Sequence, residues 1–401
     1  MSAALTKSAE RMEVFMKKEW KKLGALLLTS VLAVGMLAGC GSNGDKESEG
    51  DADTFKIGGM GPLTGGNASY GTSVKNGAQI AVDEINANGG VNGMKLELLF
   101  EDDESKVDTA LKAYNLLMDQ GIQAFLGSTT SDPTIALTER THEDNILQIT
   151  PSGSAQDCTK YDNCFRICFT DPLQGITMAD YAVDVMGAKK LAVIYDVAND
   201  YSAGMAAAFV EEAEKKGAEI VANESFTSGD VDFNTQLTKV KASGAEVLFL
   251  PTYYSEVAYI VIQADKLGMD IPLIGGDGWD GILDQLTEAQ YSIVEGATFL
   301  TPFAANEQTD LVQNFVTKYE EAYGATPDQF AADAYDGIYV IKAALEKAGS
   351  TDSDKLIAAM TEISVNGLTG SMTFDASGEP HKGAKVVQIV NGEYQIKNAD
   401  E

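Results

Sequence analysis

Residues able to bind a small charged ligand follow several predicted strands of this chain. In its first part these segments are rich in glycine, serine and threonine, namely GGMGPLTGGNASYG (58–71), GSTTSDP (127–133) and TPSGSAQ (150–156). Backbone N–H groups of such segments, placed at the N-termini of helices, suit a carboxylate or another anion.

The corresponding segments later in the chain carry an acid and aromatic side chains. They are YDVANDYSAG (195–204), PTYYSE (251–256) and GGDGWDG (275–281). The carboxylate of Asp277 suits an ammonium group, and the rings of the tyrosines and Trp279 suit apolar or cationic groups. An anion cradle on one part of the protein and an acid on the other predict a site for a zwitterion.

Alternating strands and helices must position these segments. Strands are predicted at 55–58, 95–100, 124–127, 146–150, 191–195, 219–226, 247–250 and 273–275. The stretches between them repeat apolar residues at helical spacing, as at Val74, Ala78, Val82 and Ile85. This alternation indicates an α/β fold with parallel sheets, whose ligands bind beyond the carboxyl ends of the strands. The pattern restarts near residue 189, so we expect two lobes.

Composition excludes several classes of function. The 401 residues include 60 acidic and 29 basic side chains, for a net charge of −31, and such a chain repels nucleic acid. Two histidines and four cysteines leave little for a metal or catalytic centre, and no G-x-S-x-G motif occurs. We therefore expect no enzyme, metal or cofactor. The acidic run at 101–104 is interpreted as a solvated strand end rather than a cation site.

The N-terminal segment is typical of a lipoprotein signal peptide, placed at 16–39 with Met16 as its start. Lys17, Lys18, Lys21 and Lys22 precede an apolar run that ends in Leu-Ala-Gly-Cys at Cys40. This ending indicates that Cys40 is diacylated after cleavage before it, which anchors the protein to the membrane. Residues 40–53 are polar and are predicted to form a flexible tether.

The other cysteines fit an exported protein. Cys158 and Cys164 are separated by five residues of a loop-like segment, and outside the cytoplasm such a pair favours a small structural disulfide over a metal site. Cys168 lies in the apolar pattern FRICFT and is predicted to be a buried thiol.

The segment from about 54 to 398 resembles the branched-chain amino acid substrate-binding proteins of ABC importers. The resemblance rests on the order and spacing of GPLTG…YG, DEINANGGVNG, LELLFEDDES, GSTTS, ITPSGS, PTYYSEVA…ADKLG, GGDGWD and FAADAYDGIYV. It implies the type I periplasmic binding fold, with two Rossmann-like lobes joined by a three-stranded hinge. The first lobe would hold 54–172 and 300–366, and the second 173–299 and 367–398.

The resemblance also implies roles for individual residues. Ser131 and Ser154 would meet the ligand carboxylate, Ser152 and Ser154 would accept from its ammonium, and Asp277 would pair that ammonium from the second lobe. The aromatic side chains implied at the site are Tyr70, Tyr201, Tyr253 and Trp279. Each residue type also has a purely structural interpretation, because serines cap helices, Asp277 could form an Asx turn and tyrosines pack in cores.

The implied function is that of a monomeric capture protein that closes over an amino acid and delivers it to ABC permease subunits. It would be anchored to the outer face of the bacterial cytoplasmic membrane. A ligand-presenting sensor and a binder of amides, urea or aromatic acids are the alternatives, although ligands without an ammonium leave Asp277 unused.

Overall fold

The first part of the chain forms a parallel five-stranded sheet. The computed structural model describes residues 54–380 and 382–397, which belong to one compact unit. The elements are β1 Thr54–Gly61, α1 Ala68–Ala87, β2 Lys95–Asp102, α2 Val107–Asp119, β3 Ala124–Leu126, α3 Ser131–Glu143, β4 Leu147–Thr150 and β5 Cys164–Arg166. The strand order is β2-β1-β3-β4-β5. The strands are mostly apolar because helices cover both faces of such a sheet.

A second, seven-stranded sheet follows. Its elements are α4 Asp171–Asp180, β6 Lys190–Asp196, α5 Asp200–Lys215, β7 Glu219–Phe226, α6 Asn234–Ser243, β8 Val247–Leu250, α7 Tyr254–Lys266, β9 Leu273–Gly275 and β10 Thr298–Thr301. The strand order is β14-β13-β10-β9-β8-β6-β7, in which only the pairings of β13 are antiparallel. β13 spans Lys385–Val390 and β14 spans Glu393–Ile396.

Between β10 and β13 the chain returns to the first sheet. The elements of this stretch are α8 Asp310–Tyr323, α9 Gln329–Ala348, α10 Ser353–Met360, β11 Ser364–Gly367 and β12 Gly370–Thr373. Helix α9 packs closely on α1, since an ideal Cβ at Gly77 would lie 2.0 Å from the carbonyl oxygen of Ala331. We call the five-stranded sheet with its helices, α8–α10 and the β11–β12 hairpin the first lobe, and the seven-stranded sheet with its helices the second.

The α/β fold with two parallel central sheets is confirmed, and the predicted strands are all present. Strands at 219–226, 247–250 and 273–275 have the predicted bounds, whereas β1 extends to Gly61 and β2 to Asp102. Among the described residues, no helix is both long and apolar enough to cross a membrane. The predicted signal peptide, the tether and Cys40 lie outside the described residues.

The last part of the chain differs from the predicted lobe boundary at residue 367. The Asp336 carboxylate, on α9, accepts hydrogen bonds from the backbone N–H groups of Leu368 (2.8 Å) and Thr369 (2.9 Å). Further along, the Gly378 carbonyl accepts from the N–H of Arg166 on β5 at 3.1 Å. Residues 367–378 therefore pack on the first lobe, and the third passage between the lobes lies between Gly378 and β13.

Candidate ligand-binding site

Threonine hydroxyls hold two loops of the first lobe side by side. The Thr150 hydroxyl, at the end of β4, donates to the Ser128 carbonyl at 2.7 Å and accepts from the N–H of Gly153 at 2.8 Å. The Thr134 hydroxyl, on α3, donates to the same carbonyl at 3.0 Å. Helix α3 begins at Ser131, and no side chain at its N-cap accepts from its first N–H groups. Those N–H groups and the partial positive charge of the helix N-terminus suit an anion.

The acidic run at the end of β2 is built into this framework, and the interpretation as a solvated strand end was wrong for Asp103. Asp103 is fully buried and accepts a hydrogen bond from the Ser128 hydroxyl. Asp102 accepts from the N–H of Leu63 at 2.8 Å and from the Thr64 hydroxyl at 2.6 Å. These carboxylates organise the loops that follow β1 and β3.

In the second lobe, the loop after β9 presents Asp277. The backbone N–H of Asp277 donates to the Gln174 side chain at 2.8 Å, and the N–H of Gly278 donates to the Tyr201 hydroxyl at 3.0 Å. Asp277 is 3% exposed, and burial raises the pKa of its carboxyl to about 6. The acid is thus held at the lobe interface, and any ligand with a positive charge would favour its ionised form.

Aromatic side chains and backbone from both lobes enclose a small cavity between them. Its lining consists of Tyr70, Thr129, Thr130, Ser152 and Phe330 from the first lobe and Tyr201, Tyr253, Asp277 and Gly278 from the second. Its volume is ≈ 10 Å³, about the room that one water molecule needs. The rings of Tyr201 and Tyr253 stack at 4.9 Å, and those of Tyr70 and Phe330 lie 4.1 Å apart. The lobes are therefore closed, and a larger ligand requires these rings to move.

Buried polar side chains concentrate around this cavity. The Thr130 hydroxyl has no hydrogen-bond partner among the described residues, and the side chains of Ser154, Asp171, Gln174, Tyr253 and Asp277 lie nearby, with Ser154 hydrogen-bonded to Asp171 and Gln174 to Asp277. Asp171 adjoins the site through its N–H, which donates to the Ser154 carbonyl at 3.0 Å, and burial raises its pKa well above the usual value. Acids, an amide and hydroxyls that converge on one enclosed cavity suit a polar ligand.

Five of the eight predicted ligand-binding residues line the cavity: Tyr70, Ser152, Tyr201, Tyr253 and Asp277. Ser131 and Ser154 are buried behind it, and the Ser131 hydroxyl accepts from the N–H of Ala155 at 3.2 Å. Sequence reasoning did not single out Thr129, Thr130, Gly278 or Phe330, although the first two belong to the quoted GSTTS segment and Phe330 begins the quoted FAADAYD segment.

Trp279 does not line the cavity, contrary to the prediction. Its indole N–H donates to the Leu250 carbonyl at 2.8 Å, and its ring is fully buried in the core near Phe299. An ideal Cβ at Gly275 would lie 2.0 Å from the indole nitrogen, so the strand end accommodates the ring only because residue 275 is a glycine. Trp279 therefore supports the Asp277 loop from behind.

The predicted disulfide is not present. Cys158 and Cys164 are both free, buried thiols, as is Cys168, whose burial was predicted. The Cys158 sulfur lies 3.8 Å from the Ser131 carbonyl, whereas the Cys164 sulfur lies 3.6 Å from the side-chain oxygen of Gln148. Each thiol thus has its own polar neighbours within the core, and they do not bridge the loop between them.

The fold and the interlobe cavity define a bilobed protein that encloses a small polar ligand. The family model described as "Periplasmic binding protein" matches residues 54–393, and the chain belongs to this family. A Leu/Ile/Val-binding protein homolog of Brucella melitensis is 32% identical over 80% of this chain and 88% of that protein. The chain is thus a member of the branched-chain amino acid substrate-binding proteins of ABC transporters, a family of extracytoplasmic solute-binding proteins.

Solved structures agree with this assignment. The substrate-binding protein LivJ of Streptococcus pneumoniae, solved in complex with isoleucine, is 32% identical with a TM-score of 0.80, over 86% of this chain and 98% of that chain. The leucine-binding protein LivK of Thermotoga maritima is 29% identical with a TM-score of 0.78, over the same shares of the two chains. A binding protein of Rhodopseudomonas palustris in complex with benzoate is 22% identical with a TM-score of 0.77 and shares the fold.

Proposed function

We propose that this protein captures an L-amino acid with a branched aliphatic side chain between its lobes. The observation that carries the proposal is the set of buried polar groups at the cavity, with the Asp277 carboxyl on one side and the start of α3, which no N-cap side chain caps, on the other. The ammonium would pair with the Asp277 carboxylate and with the carbonyl of Ser152. The carboxylate would accept from N–H and hydroxyl groups near Ser131 and Ser154.

The rest of the ligand would pack between aromatic rings. Tyr70, Phe330, Tyr201 and Tyr253 surround the cavity, and their faces suit an aliphatic group of few carbon atoms. LivJ was solved in complex with isoleucine and LivK is a leucine-binding protein, which supports the same ligand class here. A benzoate-like ligand would bring no cation to Asp277, and an ionised acid buried without a partner is costly.

Delivery to an ABC permease and lipid anchoring through Cys40 complete the proposal. The family supports the first, and the sequence around Cys40 supports the second. Mass spectrometry of the N-terminal peptide tests the anchor: we expect a diacylglyceryl group on Cys40, and its absence in membrane-purified protein would contradict anchoring. Uptake of the ligand by cells with and without this protein tests delivery.

Ligands that share one side chain but differ in charge test the site. We expect leucine to raise the melting temperature of protein that has been unfolded and refolded to remove bound ligand. At a hundred times its dissociation constant, a ligand adds about 2.7 kcal/mol. The matched compounds 4-methylpentanoate and isopentylamine lack the ammonium and the carboxylate respectively, so neither should shift it. A shift with 4-methylpentanoate or benzoate but not with leucine would overturn the proposal.

A further inference from the structure

A carboxylate of the first lobe caps a helix of the second. Asp132, in the first turn of α3, accepts from the N–H of Asp200, the first residue of α5, at 3.0 Å. Its other oxygen accepts from the side-chain nitrogen of Asn199, the N-cap of that helix, at 2.9 Å. The Asn199 side chain in turn accepts from the N–H of Ser202 at 3.1 Å. Asp132 therefore binds both the cap and the first turn of α5.

The reverse arrangement occurs on the other side of the cavity. Asp280, in the second lobe, accepts from the N–H of Gln329, the first residue of α9 in the first lobe, at 3.1 Å. The Gln329 side chain donates back to the Asp277 carbonyl at 2.7 Å. Asp280 is 6% exposed and Gln329 is 1% exposed, so water contributes little to either group in this closed state.

Each lobe thus contributes one acid to the N-terminus of a helix in the other lobe. The first N–H groups of a helix have no partner within the helix, and their partial positive charge favours a carboxylate. These hydrogen bonds join opposite lobes, so opening of the cleft breaks them. Each also adjoins a ligand-binding segment, since Asp132 follows Ser131 and Asp280 lies three residues after Asp277.

We propose that Asp132 and Asp280 are positioning residues that hold the lobes closed over the ligand by capping α5 and α9 from across the cleft. Neither needs to touch the ligand. The inference rests on the proposed function for the choice of leucine as the probe, and the reciprocal capping itself does not depend on which ligand is bound. These hydrogen bonds on both sides of the cavity hold the aromatic rings and Asp277 of the second lobe against the first lobe.

Alanine variants of both acids test this. We expect Asp132→Ala and Asp280→Ala each to weaken leucine binding about 5- to 30-fold, as loss of one or two hydrogen bonds between the lobes predicts. The control is Asp352→Ala, because Asp352 caps α10 within its own lobe and accepts from the N–H of Lys355 at 3.2 Å. That variant should lose stability but leave the affinity within twofold. Equal affinity of all three variants, or an equal loss in Asp352→Ala, would overturn the proposal.

Amide hydrogen exchange tests the capping hydrogen bonds themselves, because a general loss of stability would not act selectively on one amide of the opposite lobe. In protein saturated with leucine, or in protein as purified if leucine does not bind, Asp132→Ala should speed exchange at Asp200, and Asp280→Ala should speed it at Gln329, each in the lobe opposite to the substitution. Asp132→Asn and Asp280→Asn keep an acceptor oxygen and serve if an alanine variant fails to fold. Unchanged exchange at both amides would overturn the capping inference. Failure of the wild type to bind any amino acid would overturn the proposed function alone.

Discussion

The hydroxyl of Tyr70 in the first lobe donates a 2.6 Å hydrogen bond to the carbonyl oxygen of Gly278 in the second. The same hydroxyl accepts from the backbone N–H of Tyr254 at 3.2 Å. Tyr70 is buried, and one oxygen atom therefore joins α1 to two loops at the carboxyl edge of the second sheet. The ring of Tyr70 lines the cavity, so lobe closure and formation of the binding site depend on the same side chain.

Tyr70→Phe should weaken leucine binding while the protein stays folded. The variant keeps the ring and its packing on Phe330, but it leaves the Gly278 carbonyl and the Tyr254 N–H unpaired in the closed state. Each such group costs about 1–3 kcal/mol, so we expect at least a tenfold rise in the dissociation constant measured by calorimetry. Tyr259→Phe is the control, since this tyrosine is 48% exposed, and it should bind like the wild type. An unchanged affinity in Tyr70→Phe would contradict the role in closure.

Asp277→Asn should stabilise the ligand-free protein and abolish amino acid binding. Burial raises the pKa of Asp277 to about 6 from 3.8, so the folded state holds this proton more tightly than the unfolded chain does. The contribution of protonated Asp277 to the free energy of unfolding is complete below about pH 4 and is lost as the pH rises to about 6. At pH 7 the buried, ionised acid therefore lowers the free energy of unfolding by up to about 3 kcal/mol. Chemical denaturation should show a gain of about 1–3 kcal/mol in the variant at pH 7. A loss of stability there would refute the account.

Ligand affinity should fall below about pH 6. An ammonium group favours ionised Asp277, so binding at pH 5 must first release the proton that the free protein holds. We expect the dissociation constant to rise up to tenfold per pH unit below pH 6 and calorimetry in buffers of different ionisation enthalpy to detect proton release. Burial also raises the pKa values of Asp132 and Asp280 in this closed state. An affinity that does not change between pH 7 and pH 5 would contradict this account.

Two helical glycines give a matched test of the packing behind the site. Gly77→Ala would place a Cβ 2.0 Å from the Ala331 carbonyl and force α1 and α9 apart. Overpacking of this kind costs about 1–3 kcal/mol or more, and it displaces Phe330 at the start of α9, so stability and affinity should both fall. At Gly204, on α5, the nearest atom is an Asp171 oxygen at 3.6 Å, an ordinary contact. Gly204→Ala should gain about 0.5–1 kcal/mol from helix propensity. Denaturant unfolding distinguishes the two outcomes, and an equal effect of both substitutions would contradict this account.

The sequence predicted the parts of the site that follow strands. Ser152 and Asp277 come after β4 and β9, and the rule that ligands bind at the carboxyl edge of parallel strands located both. Phe330 could not be found in this way, because α9 begins after a loop from α8 and reaches the cavity through the packing of α1 on α9. The wrong prediction for Trp279 has a similar origin. Asp277 lines the cavity whereas Trp279, two residues later in the same turn, lies in the core, and spacing alone does not say which of them faces the ligand.

The predictions of the lobe boundary and of the disulfide differ from the structure because both depend on tertiary contacts. Nothing in the local pattern of 367–378 reveals that Asp336, more than thirty residues earlier, binds the N–H groups of Leu368 and Thr369. The spacing of Cys158 and Cys164 is compatible with a disulfide, but it does not report the polar partners that surround each sulfur. Residues that act through distant partners are thus the ones that sequence patterns miss.

The three cysteines of the described region should react only after unfolding. Burial raises the pKa of Cys158 and of Cys164 to about 12 and that of Cys168 well above its usual value, so thiolate is scarce and the sulfurs are inaccessible. Native protein treated with iodoacetamide at pH 8 should therefore carry no label on these residues, and protein in guanidinium without reductant should carry one on each. Peptide mapping by mass spectrometry reads both states. A linked Cys158–Cys164 peptide in the unreduced sample would contradict this account and support the disulfide predicted from the loop spacing. In that case a reductant should lower the melting temperature, whereas with free thiols the reductant should leave the melting temperature unchanged.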